Sequence, residues 1–276
     1  MSKIPAFFFS LALLICAAFP AAAGESPWAT TDHARMRLLT ATNSIGDAPN
    51  FEAALHMNMS EGWHSYWRNP GDAGAPPRFD WAASENVADV AVSWQAPKRY
   101  DEFGFQTFGY SNDVYFPLVV TPKETSKPVT LNVTVQTMVC SDICIPQVFT
   151  MNADLPAGDG VLAAQSKIIE FEKRRIPSVE DIANLKLNSA VIGPDALVIN
   201  VYAHDGFDDF DVFATGDEIA FTIIPEITIN KDDARTAMIK LPKPEDIDDL
   251  NAALKDQELS ITIVSARRAI ERKISF

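Results

Sequence analysis

The sequence predicts a mainly β protein built from two antiparallel β-sandwich domains in tandem. Three observations support this prediction: apolar and polar residues alternate in short runs, Pro and Gly break the runs at short intervals, and one charged segment with helical spacing divides the chain. Alternation with a period of two is typical of strands that bury one face. Many short strands separated by turn residues favour antiparallel sandwiches.

The N-terminus has the composition of a secretory signal peptide. Lys3 supplies a positive charge, residues 4–19 form a short apolar run, and small residues follow up to Ala23. We expect cleavage near Ala23, so residues 1–23 are left out of the fold prediction. The mature chain is expected to be exported and periplasmic. No later stretch reaches the 18 or more apolar residues of a membrane span, which predicts that the mature chain does not insert into the membrane.

The chain is acidic, with 37 Asp and Glu against 23 Lys and Arg and a net charge of −14. It contains no strong basic cluster. Nucleic acids and anionic membrane surfaces are therefore poor candidates for partners. We interpret the acidity as a contribution to solubility.

The first domain is predicted to span residues 24–158. Its candidate strands cover residues 35–41, 51–59, 89–94, 115–122, 129–139 and 148–155. The strand 129–139 has the clearest pattern, because five alternate residues of suitable type fall on one face: Val129, Leu131, Val133, Val135 and Thr137. The cysteine pair therefore lies at the end of this strand, where we expect a turn to begin.

Residues 163–185 are charged with helical spacing, and we predict a helical linker at residues 159–180. The second domain is then predicted to span residues 181–276. A helix is expected within 244–257, where Pro244 stands early and acids fill the first turn. Its candidate strands cover residues 185–189, 196–202, 210–215, 218–229, 234–242, 259–265 and 268–276.

Cys140 and Cys144 are the cysteines that the mature chain would keep, because Cys16 lies in the predicted signal peptide. In a continuous strand their Cα atoms would lie roughly 13 Å apart, whereas a disulfide needs about 4.4 to 6.8 Å. The chain must therefore turn through residues 141–143 or wind into one helical turn. So small a loop stabilises a protein little, and a mature chain of this length can bury a core without it. The spacing favours redox or metal chemistry over a structural bridge, and all three stay open.

Two aromatic segments have two interpretations each. In residues 61–81, Trp63, Tyr66 and Trp67 precede a dense run of turn residues. They either line a loop that frames a site or pack in the core before a long hairpin loop. We interpret His64 as a framework histidine with satisfied hydrogen bonds.

The second aromatic segment, residues 96–116, places Asp101, Glu102 and Phe103 among glycines and aromatic residues. It is either a mobile loop that covers the sulfur pair or a hairpin whose aromatic side chains pack in the sandwich.

Together these segments resemble the N-terminal domain of the thiol:disulfide interchange protein DsbD. YDEFG resembles the cap loop of that family, and WHSYWRNPGDAG and VCSDICIPQ are more similar to its ScsB-type branch, which is linked to copper tolerance. The resemblance covers most of residues 30–155 and, more loosely, the second half. It implies two immunoglobulin-like domains joined by the helical linker.

The resemblance also implies the site. Cys140 and Cys144 match the redox pair, Phe103 matches the cap, and Asp101 and Glu102 match acids beside the pair. Nearby negative charge would raise the cysteine pKa.

Four further residues would frame the pair: Tyr66, Trp67, Asp142 and Pro146. No cofactor beyond the redox-active disulfide is implied. Either cysteine could form the mixed disulfide, and the position of Cys140 at the strand end slightly favours it.

The implied function is a relay of reducing equivalents to oxidised periplasmic proteins of the thioredoxin fold. The cysteine spacing is shorter than in DsbD itself, and the chain ends at Phe276 without a membrane or thioredoxin-like domain. The electrons are therefore expected from a membrane-embedded thiol carrier on a separate chain. That carrier and the thioredoxin-fold proteins are the expected partners.

Two alternatives remain. The first is a Cu(I)-binding protein in which Met138 or His64 completes a site with the cysteines, since soft thiolates select Cu(I). The spacing of the cysteines before a proline also resembles Sco-type copper chaperones, but those have an α/β thioredoxin-like fold. The second is a non-catalytic interaction module with a structural disulfide. Motifs of nucleotide-binding proteins, zinc proteases and serine hydrolases are absent from the sequence.

Overall fold

The computed structural model describes residues 24–276 except Glu218 and Arg267. The predicted signal peptide, with Cys16, lies outside the described residues. Among those described, no helix is long and apolar enough to cross a membrane. The architecture is mainly β, as predicted, with several antiparallel sheets and, in the part of the chain that the structure describes, two short helices.

The first domain contains eleven strands in two sheets. Their bounds are β1 Ala29–Thr30, β2 Ala34–Thr40, β3 Phe51–Met59, β4 His64–Gly71, β5 Arg78–Asp80, β6 Val87–Val92, β7 Lys98–Glu102, β8 Phe105–Ser111, β9 Asp113–Pro122, β10 Val129–Cys140 and β11 Cys144–Leu155. One sheet has the order β1-β2-β3-β9-β6, and the other has the order β11-β10-β4-β8-β7 with β5 beside β10. Both sheets bury one face in a common core, as in an immunoglobulin-like sandwich.

The hairpin of β10 and β11 keeps one register from Val129 opposite Leu155 to Cys140 opposite Cys144. The predicted alternation is observed, since Val129, Leu131 and Val133 are buried in the core. Of the two geometries left open for the cysteines, the structure has the turn. The amide of Ser141 donates to the carbonyl of Ile143 over 3.0 Å, which closes the three-residue loop.

Both aromatic segments form strands. Residues 64–71 are β4, and residues 98–111 form the hairpin of β7 and β8. Tyr66, Trp67, Phe108 and Tyr110 are buried, so burial of aromatic surface holds both segments in the sheet.

The helix that follows the first domain is shorter than predicted. Helix α1 spans Ser166–Lys173, whereas the helical linker was predicted at residues 159–180. Pro177 disfavours the helical conformation of the residue before it, which opposes continuation. Ile169 of α1 packs against Leu39 and Ala54 on the outer face of the first domain.

The described residues of the second domain form seven strands and one helix. Their bounds are β12 Leu185–Ile192, β13 Ala196–Ala203, β14 Phe210–Thr215, β15 Glu226–Ile229, β16 Thr236–Pro242, α2 Leu250–Leu254, β17 Glu258–Ser265 and β18 Arg268–Ser275. The sheets β12-β13-β16-β15 and β14-β17-β18 enclose a second core. The chain is therefore two sandwiches in tandem.

Two elements of the second domain are shorter than predicted. The strand expected at 218–229 is reduced to β15, which begins directly after Pro225. Proline lacks the amide hydrogen of a ladder bond, so it is found at strand starts. Helix α2 begins at Leu250 because Asp249 is its N-cap and accepts hydrogen bonds from the amides of Asn251 and Ala252.

Candidate redox site

The site lies at the end of the β10–β11 hairpin. Cys140 and Cys144 form a disulfide with their Cα atoms 4.1 Å apart. Cys140 is fully buried, whereas Cys144 is exposed. An incoming thiolate can therefore reach the sulfur of Cys144 more readily than that of Cys140.

Tyr66 of β4 contacts both sulfur atoms. Its hydroxyl oxygen lies 3.1 Å from Sγ of Cys140 and 3.4 Å from Sγ of Cys144. Gly74 backs the ring so closely that a Cβ there would lie 2.3 Å from Cζ of Tyr66. Tyr66 is almost fully buried, and this burial, together with the negative charge and hydrogen bond of Glu102, raises its pKa to about 12. It therefore stays protonated at neutral pH and can donate a hydrogen bond.

Glu102, the last residue of β7, connects Tyr66 to His64. Its Oε2 accepts from the Tyr66 hydroxyl over 3.2 Å, and its Oε1 lies 2.7 Å from Nε2 of His64. The hydroxyl of Thr107 also donates to Glu102. His64 stacks on Tyr100 with ring centroids 4.8 Å apart. Because Tyr66 has one hydroxyl hydrogen, it can donate either to Glu102 or to a sulfur atom at any moment.

Asp101 and Phe103 stand on either side of Glu102 but have different surroundings. Asp101 accepts from the amide of Gly104 over 3.1 Å and from Nε2 of Gln106 over 2.9 Å, so its carboxylate holds the turn of the hairpin. Phe103 has φ of 57° and is 84% exposed. In this structure its ring is therefore not packed over the sulfur pair.

A cleft of about 530 Å³ opens beside Cys144. Phe103, Phe105 and Ile143 are exposed apolar residues in its lining. Asp142, at the hairpin turn, also lines it. Cys144 thus lines an opening with apolar walls, which suits contact with a protein surface.

The other two predicted framing residues lie elsewhere. Trp67 follows Tyr66 in the strand and so points to the opposite face, where its ring packs against Phe213 of β14 with centroids 6.0 Å apart. Pro146 is exposed on β11, opposite Met138. Met138 lines the cleft.

His64, Glu102 and Cys140 form a cluster of potential metal ligands. One ligand atom from each lies within 4.8 Å of the others. A disulfide sulfur is a poor ligand, whereas a thiolate is a good one, so this cluster suits a metal only after reduction of the pair.

The framework interpretation of His64 did not place it beside the cysteines, whereas the Cu(I) alternative drawn from the sequence did. The spacing of two between His64 and Tyr66 on β4 was the available signal, because residues i and i+2 share a strand face. Thr107 and Gly74 carried no such signal. Their contacts depend on how β8 and residues 72–77 return to β4.

Known proteins resemble this chain in the sequence of its first domain and in the fold of both domains. Residues 37–155 match the family model described as thiol:disulfide interchange protein DsbD, N-terminal. The N-terminal periplasmic domain of ScsB from Proteus mirabilis is similar in structure, with a TM-score of 0.69, 20% identity, and coverage of 92% of this chain and 98% of that chain. This likeness shows the same fold across both domains. A marsupial T cell receptor aligns at 8% identity, with 89% and 98% coverage, but its TM-score of 0.24 supports no conclusion. No curated protein sequence matches the chain.

Proposed function

We propose that this protein relays reducing equivalents by thiol–disulfide exchange at Cys140 and Cys144, on the premise that residues 37–155, which match the DsbD N-terminal family model, form a domain of that type. The observation that carries the proposal is that Cys144 is exposed and Cys140 is buried, with one hydroxyl, that of Tyr66, within 3.4 Å of both sulfurs. A disulfide that served only to staple the hairpin would need neither this access nor this donor.

The exchange begins with attack on Cys144. A thiolate of the electron donor forms a bond to Sγ of Cys144, the bond between Cys144 and Cys140 breaks, and Cys140 leaves as a thiolate. A second thiol of the donor then attacks the mixed disulfide, so the donor is oxidised and the Cys140–Cys144 pair is reduced. The burial of Cys140 argues against the slight preference for that residue drawn from the sequence.

Tyr66 assists the step in which Cys140 leaves. Its hydroxyl hydrogen turns from Glu102 to the new thiolate, which receives a charge-assisted hydrogen bond. Once both cysteines are reduced, the carboxylates of Glu102 and Asp142 disfavour the thiolate form. The resting pair is then slow to react with stray disulfides.

The proposed donor is a membrane-embedded thiol carrier on a separate chain, and the proposed acceptors are oxidised periplasmic proteins of the thioredoxin fold. Support comes from the family match and from the apolar cleft beside Cys144. The expected signal peptide would place the protein in the same compartment.

Trapping of the mixed disulfide tests this proposal. Cys140→Ser leaves Cys144 free and is expected to capture a thioredoxin-fold protein as a covalent complex that dithiothreitol releases. Cys144→Ser leaves a buried thiol and is expected to capture much less. If neither variant forms such a complex and the wild-type disulfide resists dithiols, the proposal is wrong.

Metal binding by the reduced site is a second candidate function, favoured by the cluster of His64, Glu102 and Cys140. Two thiolates and an imidazole suit Cu(I), which would give the link to copper tolerance a direct basis. Reduced protein should then retain one equivalent of Cu(I) against a chromophoric chelator. Retention should fall in His64→Gln and vanish when both cysteines are replaced by Ser; equal retention in all three would discard the candidate.

A further inference from the structure

Strand β7 is placed between the redox site and the second domain. Successive side chains of a strand point to opposite faces. Tyr100 and Glu102 accordingly face the site, where Tyr100 stacks on His64 and Glu102 binds Tyr66. Arg99 faces the other way and contacts the second domain.

Arg99 makes a dense set of contacts across the domain boundary. Its Nε and Nη2 donate to the two carboxylate oxygens of Asp211, each over 3.0 Å. It also donates to the carbonyl oxygens of Thr222 over 2.6 Å and Val212 over 3.2 Å. Its side chain is 11% exposed, so this bidentate pair is largely shielded from water.

Two aromatic rings also contact the guanidinium group of Arg99. Its Cζ lies 4.9 Å from the ring centroid of Phe108 and 5.3 Å from that of Phe213. The two rings contact each other edge to face with centroids 4.8 Å apart. Phe108 belongs to the first domain and Phe213 to the second, so Arg99 is held by both.

The backbone of β7 has little support of its own. It is the edge strand of its sheet and pairs with β8 alone among the described strands. Its free edge carries no ladder hydrogen bonds that would fix the position of Glu102. The contacts of Arg99, three residues before Glu102, supply that restraint from the second domain.

We propose that the second domain positions Glu102 against Tyr66 by clamping β7 through the Arg99–Asp211 pair, which makes Arg99 and Asp211 positioning residues for the disulfide site. This inference rests on the proposed exchange function for its biological meaning. The effect of Asp211 on the reactivity of the cysteines can be measured without any partner protein.

Loss of the Arg99–Asp211 pair should change the reactivity of the reduced Cys140 and Cys144. The charged or titratable groups around the sulfurs are Tyr100 and Glu102 from β7, His64 and Tyr66 from β4, and Asp142 from the hairpin turn. When β7 moves away, Glu102 moves with it, and the thiolate loses a repelling negative charge. Reduced Cys144 should then ionise at lower pH.

The experiment follows alkylation of the reduced full chain by iodoacetamide from pH 6 to pH 11. Asp211→Asn is the main variant, because it lies in the second domain and touches none of the site residues. Arg99→Lys is the second, since lysine cannot form the bidentate pair. Arg272→Gln, which breaks an ion pair with Asp181 inside the second domain, is the control.

We expect both interface variants to react about twofold to threefold faster than wild type at pH 7, because a lower pKa raises the thiolate fraction more than it lowers nucleophilicity. The double variant should react no faster than either single one, since both break the same link. Arg272→Gln should match wild type.

Folded interface variants with a wild-type pH profile would overturn the inference, as would additive effects in the double variant. A structural defect alone would lower the melting temperature without moving the profile. The proposed function fails by a different result, a disulfide that partners do not reduce, so the two failures can be told apart.

Discussion

At the scale of single residues, the hydroxyl of Tyr66 links the sulfur chemistry to the carboxylate of Glu102. It lies within 3.4 Å of both sulfurs and of Glu102. Tyrosine provides a neutral hydrogen-bond donor at this almost fully buried position. The charged side chain of a lysine or arginine would instead need a partner of opposite charge to offset the cost of its burial. The raised pKa of Tyr66 keeps its hydrogen available throughout the pH range of the cell.

The raised pKa predicts a dependence of stability on high pH. Tyr66 titrates at about 12 in the folded chain and at about 10 when unfolded. Its contribution is thus complete below about pH 10 and is lost as pH rises through about 12. The stability of wild type relative to Tyr66→Phe should fall by about 1–2 kcal/mol between pH 9 and pH 11.5, measured by urea unfolding with the disulfide intact. A constant difference would contradict this ionisation.

Glu102 and Asp101 should differ in effect although they are neighbours. Glu102→Gln removes the charge beside Tyr66 and Cys140, so the reduced pair should be alkylated about twofold to threefold faster at pH 7. Asp101→Asn removes a charge that is directed at the turn, and it serves as the matched control. Equal acceleration by both would mean that bulk charge, and not the Tyr66 network, sets the cysteine reactivity.

At the scale of elements, the site is assembled from four strands and the return of the chain after β4. β10 brings Cys140, β11 brings Cys144, β4 brings His64 and Tyr66, and β7 brings Glu102. β4 lies between β10 and β8 in the sheet, which explains why residues distant in sequence meet here. Gly74 on the returning segment presses against the Tyr66 ring.

A matched pair of glycine substitutions tests this assembly. Gly74→Ala would place a methyl group 2.3 Å from the Tyr66 ring, at φ of +96°. Gly62→Ala imposes a similar backbone strain at φ of +79° but has no atom within 4 Å of the new Cβ. Gly74→Ala should lower stability by about 1–3 kcal/mol more than Gly62→Ala and slow reduction by dithiothreitol, read by urea unfolding and thiol release. Equal effects would show that only backbone strain matters.

The sequence predicts those elements that depend on local pattern, but not the contacts between residues that are distant in the chain. The alternation in residues 129–139 predicted a strand, which is β10. A disulfide between Cys140 and Cys144 required the chain between them to form either a turn or one turn of helix, and the structure has the turn. Residues 61–81 and 96–116 were ambiguous, because aromatic side chains with turn residues fit both loops and strands. Only tertiary burial of Tyr66 and Trp67 decides between these. The contact of Glu102 with His64 joins residues 38 positions apart, and local pattern carries no trace of it.

At the scale of the whole molecule, the second domain packs against the first and contributes a residue to its core. Phe213 of β14 packs with Trp67 and Phe108 and belongs to the buried core of the first domain. Arg68 pairs with Glu271 across the same boundary. The two sandwiches therefore share part of a core, unlike domains that are joined only by a flexible linker.

This shared core predicts coupled unfolding. Phe213→Ala should destabilise the protein by about 3–5 kcal/mol, because it leaves a cavity between two aromatic rings. It should also separate one calorimetric transition into two, as the domains lose their common contact. Phe207→Ala, on a partly buried ring of the second domain, is the control. One transition in the Phe213 variant, at an unchanged temperature, would show that the domains do not depend on each other.

The most direct test of the central claim is the reduction potential of the Cys140–Cys144 pair, measured by thiol trapping across graded dithiol buffers. Exchangeable disulfides lie at roughly −120 to −270 mV, and structural ones typically lie below about −300 mV. The exposed Cys144 and the Tyr66 donor predict a value in the upper range. A value well below about −300 mV would make the pair a structural bridge and would contradict the relay.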